Sequence, residues 1–193
     1  FVIKTKKEDI TAKAVILATG TERKNLNIPG EKEFTGKGVS HCVSCDGFLF
    51  KNKVVGIIGG SDCAAISALA MSGLAKKVYI FYRGERLRCE GITAKRLENK
   101  KNVEINFMAI PKKIFGKDVV EGIELEVKGK MKKFELDGIF IEIGSIPITR
   151  FAQDLKFKID KDNQVIVNEK MESSVRGVYA AGDITNQGLK QVV

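Results

Sequence analysis

The stretch from Lys53 to Tyr82 constrains the fold more than any other part of the chain. Val54, Val55, Ile57 and Ile58 form a short apolar run that ends at Gly59-Gly60. A small-residue segment from Ala64 to Ala75 follows, and then a second apolar run from Val78 to Tyr82. Apolar run, glycine turn, helix-length segment and apolar run make one strand-helix-strand unit. Two strands joined through a helix lie parallel, because the crossover brings the chain back to the end from which it started. A parallel sheet in turn needs cover on both faces. The pattern predicts an α/β protein built on a buried parallel sheet.

The rest of the chain is read around this unit. Ala14 to Thr19 is another apolar run, ended by Gly20, and a polar connection with Pro29-Gly30 follows it. Thr93 is read as the cap of a short helix over Ala94 to Asn99, and Val103 to Phe107 as the next strand. From Lys113 to Lys133 the residues alternate around a Lys/Gly turn, which predicts an antiparallel meander in place of a second helical crossover. Phe134 to Ile143 returns to a buried strand that closes at Gly144 and Pro147, and Gln164 to Asn168 gives one more. Gly177-Val178-Tyr179-Ala180-Ala181-Gly182-Asp183 reads as a strand ending at an acidic turn. No repeat of fixed period and no low-complexity linker interrupts the chain.

Composition narrows the function classes. A chain of 193 residues with 44% hydrophobic and 30% charged residues can bury a full core. It has neither an apolar run long enough for a membrane span nor a signal-peptide pattern, so the expected compartment is the cytoplasm. The net charge of +9 raises the question of nucleic acid, yet the lysines are spread over the chain. Their densest piece, Lys128-Gly129-Lys130-Met131-Lys132-Lys133, reads as a solvated hairpin turn. No nucleic-acid partner is therefore expected, and the diffuse charge suits an acidic protein partner reached by long-range steering.

Chemistry enters at Cys42-Val43-Ser44-Cys45-Asp46-Gly47. Two thiols at this spacing can close a small disulfide ring, and the carboxylate beside them can move a proton. The competing reading is half of a zinc site, which requires a second ligand pair. The remaining candidates, Cys63, Cys89 and the single histidine, His41, form none. In a reducing compartment such a pair is more often catalytic than structural. Cys63, at a helix start, is read as a small buried hydrophobe in preference to an activated thiol, and Cys89 likewise. His41 is given a tuning or surface role.

A second chemical signal lies in Gly59-Gly60-Ser61-Asp62-Cys63-Ala64, directly after one strand and at the start of a helix. A dinucleotide loop uses its first glycine for the tight turn and a small second position so that backbone approaches the pyrophosphate. A small last residue lets helix and strand pack closely, and the helix N-terminus adds partial positive charge. Ser61 stands where the second glycine is usual. The second strand runs into Tyr82-Arg83-Gly84-Glu85-Arg86-Leu87-Arg88. A 2′-phosphate calls for arginine at that place, so Arg83 and Arg88 are the candidate ligands and NADP is favoured over NAD.

With these parts in order the chain resembles the thioredoxin reductase family of low-molecular-weight flavoproteins. The matching residues are Ala18-Thr19-Gly20, Gly38-Val39-Ser40, the Cys42 to Gly47 motif with Phe48, the glycine turn, the arginine cluster, Gly144 with Pro147, Gly177 to Asp183, and Gln191-Val192-Val193. The resemblance implies a Rossmann-like, three-layer FAD/NAD(P)-binding fold in which an NADPH domain carrying the redox pair is inserted into an FAD domain. Residues 1–34 and 147–193 are then parts of the FAD domain, and residues 35–146, with a β-meander crossover, form the NADPH domain.

The same resemblance implies that NADPH reduces FAD, the flavin reduces the disulfide, and the dithiol reduces thioredoxin or a similar small redox protein. Cys45 is implied to face the flavin, Cys42 to attack the partner's disulfide and Asp46 to serve as acid or base. Asp183, beside Gly182, is implied to bind the flavin's ribityl chain. Thr19, Gly20, Gly144 and Gln191 complete the cofactor-binding set with Gly59, Gly60, Ser61, Asp62, Ala64, Arg83 and Arg88. The family is commonly dimeric.

Departures from the pattern matter equally. The family's N-terminal glycine-rich FAD fingerprint is missing before Phe1, and so is a helix after Val193. The chain is thus expected to be the middle and late part of a longer protein, without the FAD pyrophosphate cradle. Ser61 replaces a glycine, Ile66 and Ser67 replace an acidic pair, and Gly84 replaces one of two arginines. Two alternatives stay open: the same fold reduced by ferredoxin or a deazaflavin, and a non-enzymatic NADP-binding module.

Overall fold

The computed structural model describes residues 1–150 and 155–187. The chain divides into two compact units, one of Phe1–Arg23 with Ser145–Val193 and one of Lys24–Gly144. In the first, a hairpin of β1 (Val2–Lys4) and β2 (Asp9–Thr11) precedes β3 (Val15–Leu17) and β4 (Thr21–Arg23). β3 pairs in parallel with β14 (Val178–Ala180), and β4 pairs antiparallel with β13 (Ser145–Pro147). Leu17, Phe157, Val165, Val178, Ala180 and Ile184 close a small core. The strand expected over Gln164 to Asn168 is not formed; Val165 makes only isolated bridges to Ile159 and Thr185. Side chains take backbone groups a ladder would use: Asp160 Oδ1 accepts from the Gln164 N–H, and Asn186 Oδ1 from that of Val167.

The second unit is a three-layer arrangement. Its middle is a five-stranded sheet of β5 (Val39–Ser40), β6 (Val54–Ile58), β7 (Lys77–Tyr82), β8 (Val103–Phe107) and β12 (Gly138–Ile141), all parallel, in the order β5-β12-β6-β7-β8. One face is covered by α2 (Asp62–Ser72) and α3 (Gly91–Glu98), where Ala64, Ala65, Ala68, Met71 and Leu97 meet Val55, Ile57, Val78 and Ile80. Alanine at three of the inward positions lets α2 lie close to the sheet. The other face is covered by the antiparallel meander β9 (Ala109–Gly116), β10 (Val120–Val127) and β11 (Lys130–Glu135). Ile114, Ile123 and Leu125 of the meander pack on Ile58, Phe81, Ile139 and Ile141. Gly56 faces this layer, where a Cβ would press on Leu136 and Phe81.

The parallel crossover and the meander are as the sequence predicts, and the Lys128-Gly129 turn joins β10 to β11 with both φ angles positive, the backbone of a tight hairpin. Several boundaries differ. α2 stops at Gly73 and does not reach Ala75, because Leu74 and Ala75 both turn back to the Met71 carbonyl. Thr93 lies buried inside α3 and does not cap it. The Glu90 N–H is held by Asp62 Oδ1 at 2.9 Å, so the helix begins at Gly91. Phe134 belongs to the meander, opposite Ile123, and the chain enters the parallel sheet only after Asp137, whose side chain takes the Val54 N–H at 2.8 Å. Leu26, Ile28 and Phe34, read from sequence as part of the first flank, pack into the core of the second unit. Among the described residues no helix is long and apolar enough to cross a membrane.

Candidate functional site

Cys42 and Cys45 are joined by a disulfide, with Cα atoms 5.3 Å apart. The chain leaves β5 at Ser40, bends at His41, and starts the one-turn helix α1 (Val43–Asp46), followed by a 3-10 turn over Gly47–Phe50. Cys42 is the N-cap of α1: its sulfur accepts the Cys45 N–H at 3.2 Å, so helix geometry itself brings the two residues together. Asp46 is tied to the same turn. Its N–H reaches the Cys42 carbonyl at 3.1 Å, and Ser40 Oγ donates to Asp46 Oδ2 at 2.5 Å while accepting the Cys42 N–H at 3.0 Å. Gly47 is buried under α2, where a Cβ would stand 2.9 Å from Met71 Sδ, and this anchors the motif. Cys45 is exposed and Cys42 half-buried. Next to them Phe48 and Leu49 are 67% and 63% exposed. His41 Nδ1 is buried without a hydrogen-bond partner, and the bonds of the motif run past it.

The glycine turn sits at the carboxyl end of β6, and β12 lies alongside that strand in the sheet. That is the crevice in which open α/β sheets bind their ligands. Gly59 has φ +150°, and a Cβ there would collide with the Glu142 carbonyl oxygen; Gly60 lies directly against the ring of Tyr82. Both glycines therefore serve close packing. Ser61 is the N-cap residue of α2 in extended conformation, and the Arg88 N–H donates to the Gly60 carbonyl at 2.7 Å, which stitches the arginine loop to the turn. A cavity of about 430 Å³ opens here, with Gly59, Gly60, Ser61, Arg83 and Arg88 in its wall. Asp62 and Ala64 are not part of that wall. Asp62 holds the α3 loop, and Ala64 is buried beneath the turn. Lys24 adds a third cation, and Leu26, Ile28 and Ile143 an apolar side.

In the first unit, β3 and β14 end side by side, with the Ala181 N–H on the Leu17 carbonyl at 3.0 Å. Thr19 and Gly20 leave one strand and Gly182 and Asp183 the other, so the pairing brings these four predicted residues to one edge. Gly20 and Gly182 have φ +63° and +75° with open space where a Cβ would stand. Thr19 Oγ1 donates to the Ile148 carbonyl at 2.9 Å, and the Thr185 hydroxyl to that of Gly182 at 2.8 Å. Gly144 ends the second unit at φ +94°, its carbonyl accepting from the Lys24 N–H. Gln191 lies outside the described residues.

Several contributors were missed from sequence. Lys24 is far from the arginines in the chain, and nothing local marks it. Glu142 is buried at the end of β12 with its Oε1 taking the Ser67 hydroxyl at 2.8 Å, so the serine standing at the acidic-pair position meets a carboxyl from another strand. Ser40, two residues before Cys42, was the one that spacing could have found. Of the free cysteines, Cys63 is exposed and not the buried thiol anticipated, because it lies on the solvent side of α2. Cys89 is half-buried against the helix-side core, and burial, followed by the nearby Asp62 and Glu90 charges, pushes its thiol above the ordinary range.

Comparison with known proteins agrees with this geometry. The family model described as pyridine nucleotide-disulphide oxidoreductase matches residues 1–193. An alkyl hydroperoxide reductase component of Staphylococcus epidermidis is 36% identical over 186 residues, covering 95% of this chain and 36% of that protein. A thioredoxin reductase of Bacillus subtilis (strain 168) is 35% identical over 195 residues, covering 100% of this chain and 61% of that protein. The crystal structure of Lactococcus lactis thioredoxin reductase superposes with a TM-score of 0.87 at 30% identity, covering 98% of this chain and 63% of that one. The chain thus spans less than two thirds of the length of each of these relatives. With a full-length family match, a C-x-x-C disulfide at Cys42–Cys45 and a five-stranded parallel sheet beside it, the chain belongs to the pyridine nucleotide-disulphide oxidoreductases and is thioredoxin reductase-like.

Proposed function

We propose that this chain carries the disulfide centre and the NADPH site of a flavoprotein disulfide reductase that passes electrons from NADPH, through FAD, to thioredoxin or a similar small redox protein. Residues 24–144 form the NADPH domain in this reading, and residues 1–23 and 145–193 contribute to an FAD domain. The observation that carries it is the Cys42–Cys45 disulfide, with the Asp46 carboxylate bonded into the same turn and one sulfur-bearing residue exposed.

The cofactor assignments are supported by the donor sets. The 430 Å³ cavity at the sheet crevice combines Arg83, Arg88 and Lys24 with the start of α2, which suits a phosphate-rich dinucleotide. The open backbone at Gly20 and Gly182 beside Asp183 suits a sugar alcohol docking against main chain and carboxylate. Bound at these places, NADPH would supply hydride chemistry and FAD the two-electron chemistry that links it to a disulfide.

The chain's own residues account for the exchange that follows. Cys42 attacks the partner's disulfide, Asp46 exchanges the proton with the reacting thiol, and Cys45 resolves the mixed disulfide. Phe48 and Leu49 offer an apolar landing surface next to the sulfurs, and the net charge of +9 favours an acidic partner. A cytoplasmic setting fits a centre that works by repeated reduction, and a homodimer is the assembly proposed for the complete protein.

The test uses the full-length protein. NADPH-dependent reduction of thioredoxin is expected to vanish in Cys42→Ser and in Cys45→Ser while flavin content stays at the wild-type level. Turnover that survives either substitution sinks the proposal. Flavin reduction by ferredoxin but not by NADPH would move the donor assignment and leave the disulfide chemistry in place.

A further inference from the structure

The hydroxyl of Ser40 links the acid of the redox motif to its first cysteine. Ser40 ends β5 and is held in register against Phe140 of β12, so its position is set by the parallel sheet and not by the short helix that carries the cysteines. Its Oγ accepts the Cys42 N–H at 3.0 Å and donates to Asp46 Oδ2 at 2.5 Å. The Asp46 N–H returns to the Cys42 carbonyl at 3.1 Å. Three bonds close a ring through Ser40, Cys42 and Asp46.

The ring fixes where protons point. A hydroxyl has one hydrogen to give. With the amide N–H of Cys42 directed at its oxygen, the Ser40 hydrogen is aimed at the carboxylate, and a hydroxyl bonded to a charged acceptor is among the stronger hydrogen bonds a protein makes. One oxygen of Asp46 is thereby held in place. Asp46 sits in the last position of a one-turn helix, where backbone bonding alone holds a side chain loosely. A general base works only within hydrogen-bond reach of the proton it takes, so a swinging carboxylate would lose most of its effect.

We propose that Ser40 is the positioning residue of the disulfide centre, holding the Asp46 carboxylate where it can exchange a proton with the thiol of Cys42. This rests on the role given to Asp46 above. In the reduced chain the Cys42 thiol passes its proton to Asp46 as its sulfur attacks a disulfide. The partner's S–S bond breaks, a mixed disulfide forms, and the leaving sulfur takes the proton from Asp46. Cys45 then attacks the Cys42 sulfur, re-forms the intramolecular disulfide and releases the second thiol with the proton Cys45 gives up. Two thiols of the chain are oxidised and one disulfide is reduced to two thiols, so protons and electrons balance without a further reagent.

The experiment reduces the chain with dithiothreitol, removes the reductant and mixes the protein with glutathione disulfide. Re-formation of Cys42–Cys45 is followed by acid quench and mass spectrometry of that peptide. At neutral pH Ser40→Ala should be slower by about tenfold or more, and Ser40→Thr, which keeps the hydroxyl, should stay within about threefold of wild type. In an Asp46→Asn background Ser40→Ala should add nothing. The gap should close well above pH of about 8.5, where a free thiol ionises without a base. A Ser40→Ala protein at wild-type rate, an undiminished effect in Asp46→Asn, or a gap that persists at alkaline pH would each overturn the proposal. Wild-type rate in Asp46→Asn alone removes the acid–base role of Asp46, and that of Ser40 with it; failure of the Ser40 variants alone leaves Asp46 untouched.

Discussion

Gly59 and Gly20 both hold positive φ, yet they need to be glycine for different reasons. At Gly20 the conformation alone matters, because nothing lies within reach of a Cβ; Gly20→Ala should cost about 1 kcal/mol of stability. At Gly59 a methyl group would strike the Glu142 carbonyl and press on Ala64 as well, so Gly59→Ala should cost about 1–3 kcal/mol or more. Urea unfolding of the two variants measures the difference, and equal losses would deny the steric part. Thiol reactivity separates residues in the same way. Iodoacetamide at neutral pH should label exposed Cys63 well before Cys89, whose thiol is pushed up by burial and ionises only at more alkaline pH. Peptide mapping against time reads the order. The C-x-x-C motif and Asp46 were legible from spacing because their contacts span one helical turn. Lys24 and Glu142 were not, because they reach the glycine turn only through the folded sheet.

At the scale of elements, the edge of the parallel sheet is pinned by charge. Lys77 of β7 donates to Glu104 of β8 at 2.9 Å, and this bond holds the Glu104 carboxyl below the usual carboxylate range. A carboxyl depressed in the folded state adds stability above its unfolded value, and that stability is lost as pH falls through the folded value. Both side chains are partly in water, so Glu104→Gln should cost only about 0.2–1 kcal/mol at neutral pH. The difference from wild type should disappear in strong acid. Thermal melts at the two pH values test the sign, and a larger loss in acid would contradict it. Elements with a strong local pattern, α2 and the meander hairpin, were readable in the sequence. The start of α3 was not, because Thr93 looks like a cap, while the real start is set by Asp62 reaching across to the Glu90 backbone.

For the whole molecule, the two large core clusters both lie within residues 24–144, one on each face of the five-stranded sheet. That segment expressed alone should unfold in one cooperative transition and form the Cys42–Cys45 disulfide in air. A broad, non-cooperative calorimetric trace would show that it depends on the flanking chain. Leu125→Ala in its core should cost about 2–5 kcal/mol, since Leu125 is fully buried between meander and sheet.

The sequence by itself determined the local chemistry: a disulfide ring with an acid in the same turn, a strand-helix-strand crossover, a glycine turn followed by arginines, and a meander marked by its Lys-Gly hairpin. Each depends on interactions a few residues apart or on a regular period. Tertiary structure alone decided that β12 enters the sheet between β5 and β6. That insertion creates the crevice and sets Glu142 against Gly59 and Ser67. Strand order and register are set by how two layers share one buried surface. No window along the chain contains both partners, so no local pattern announces the contact.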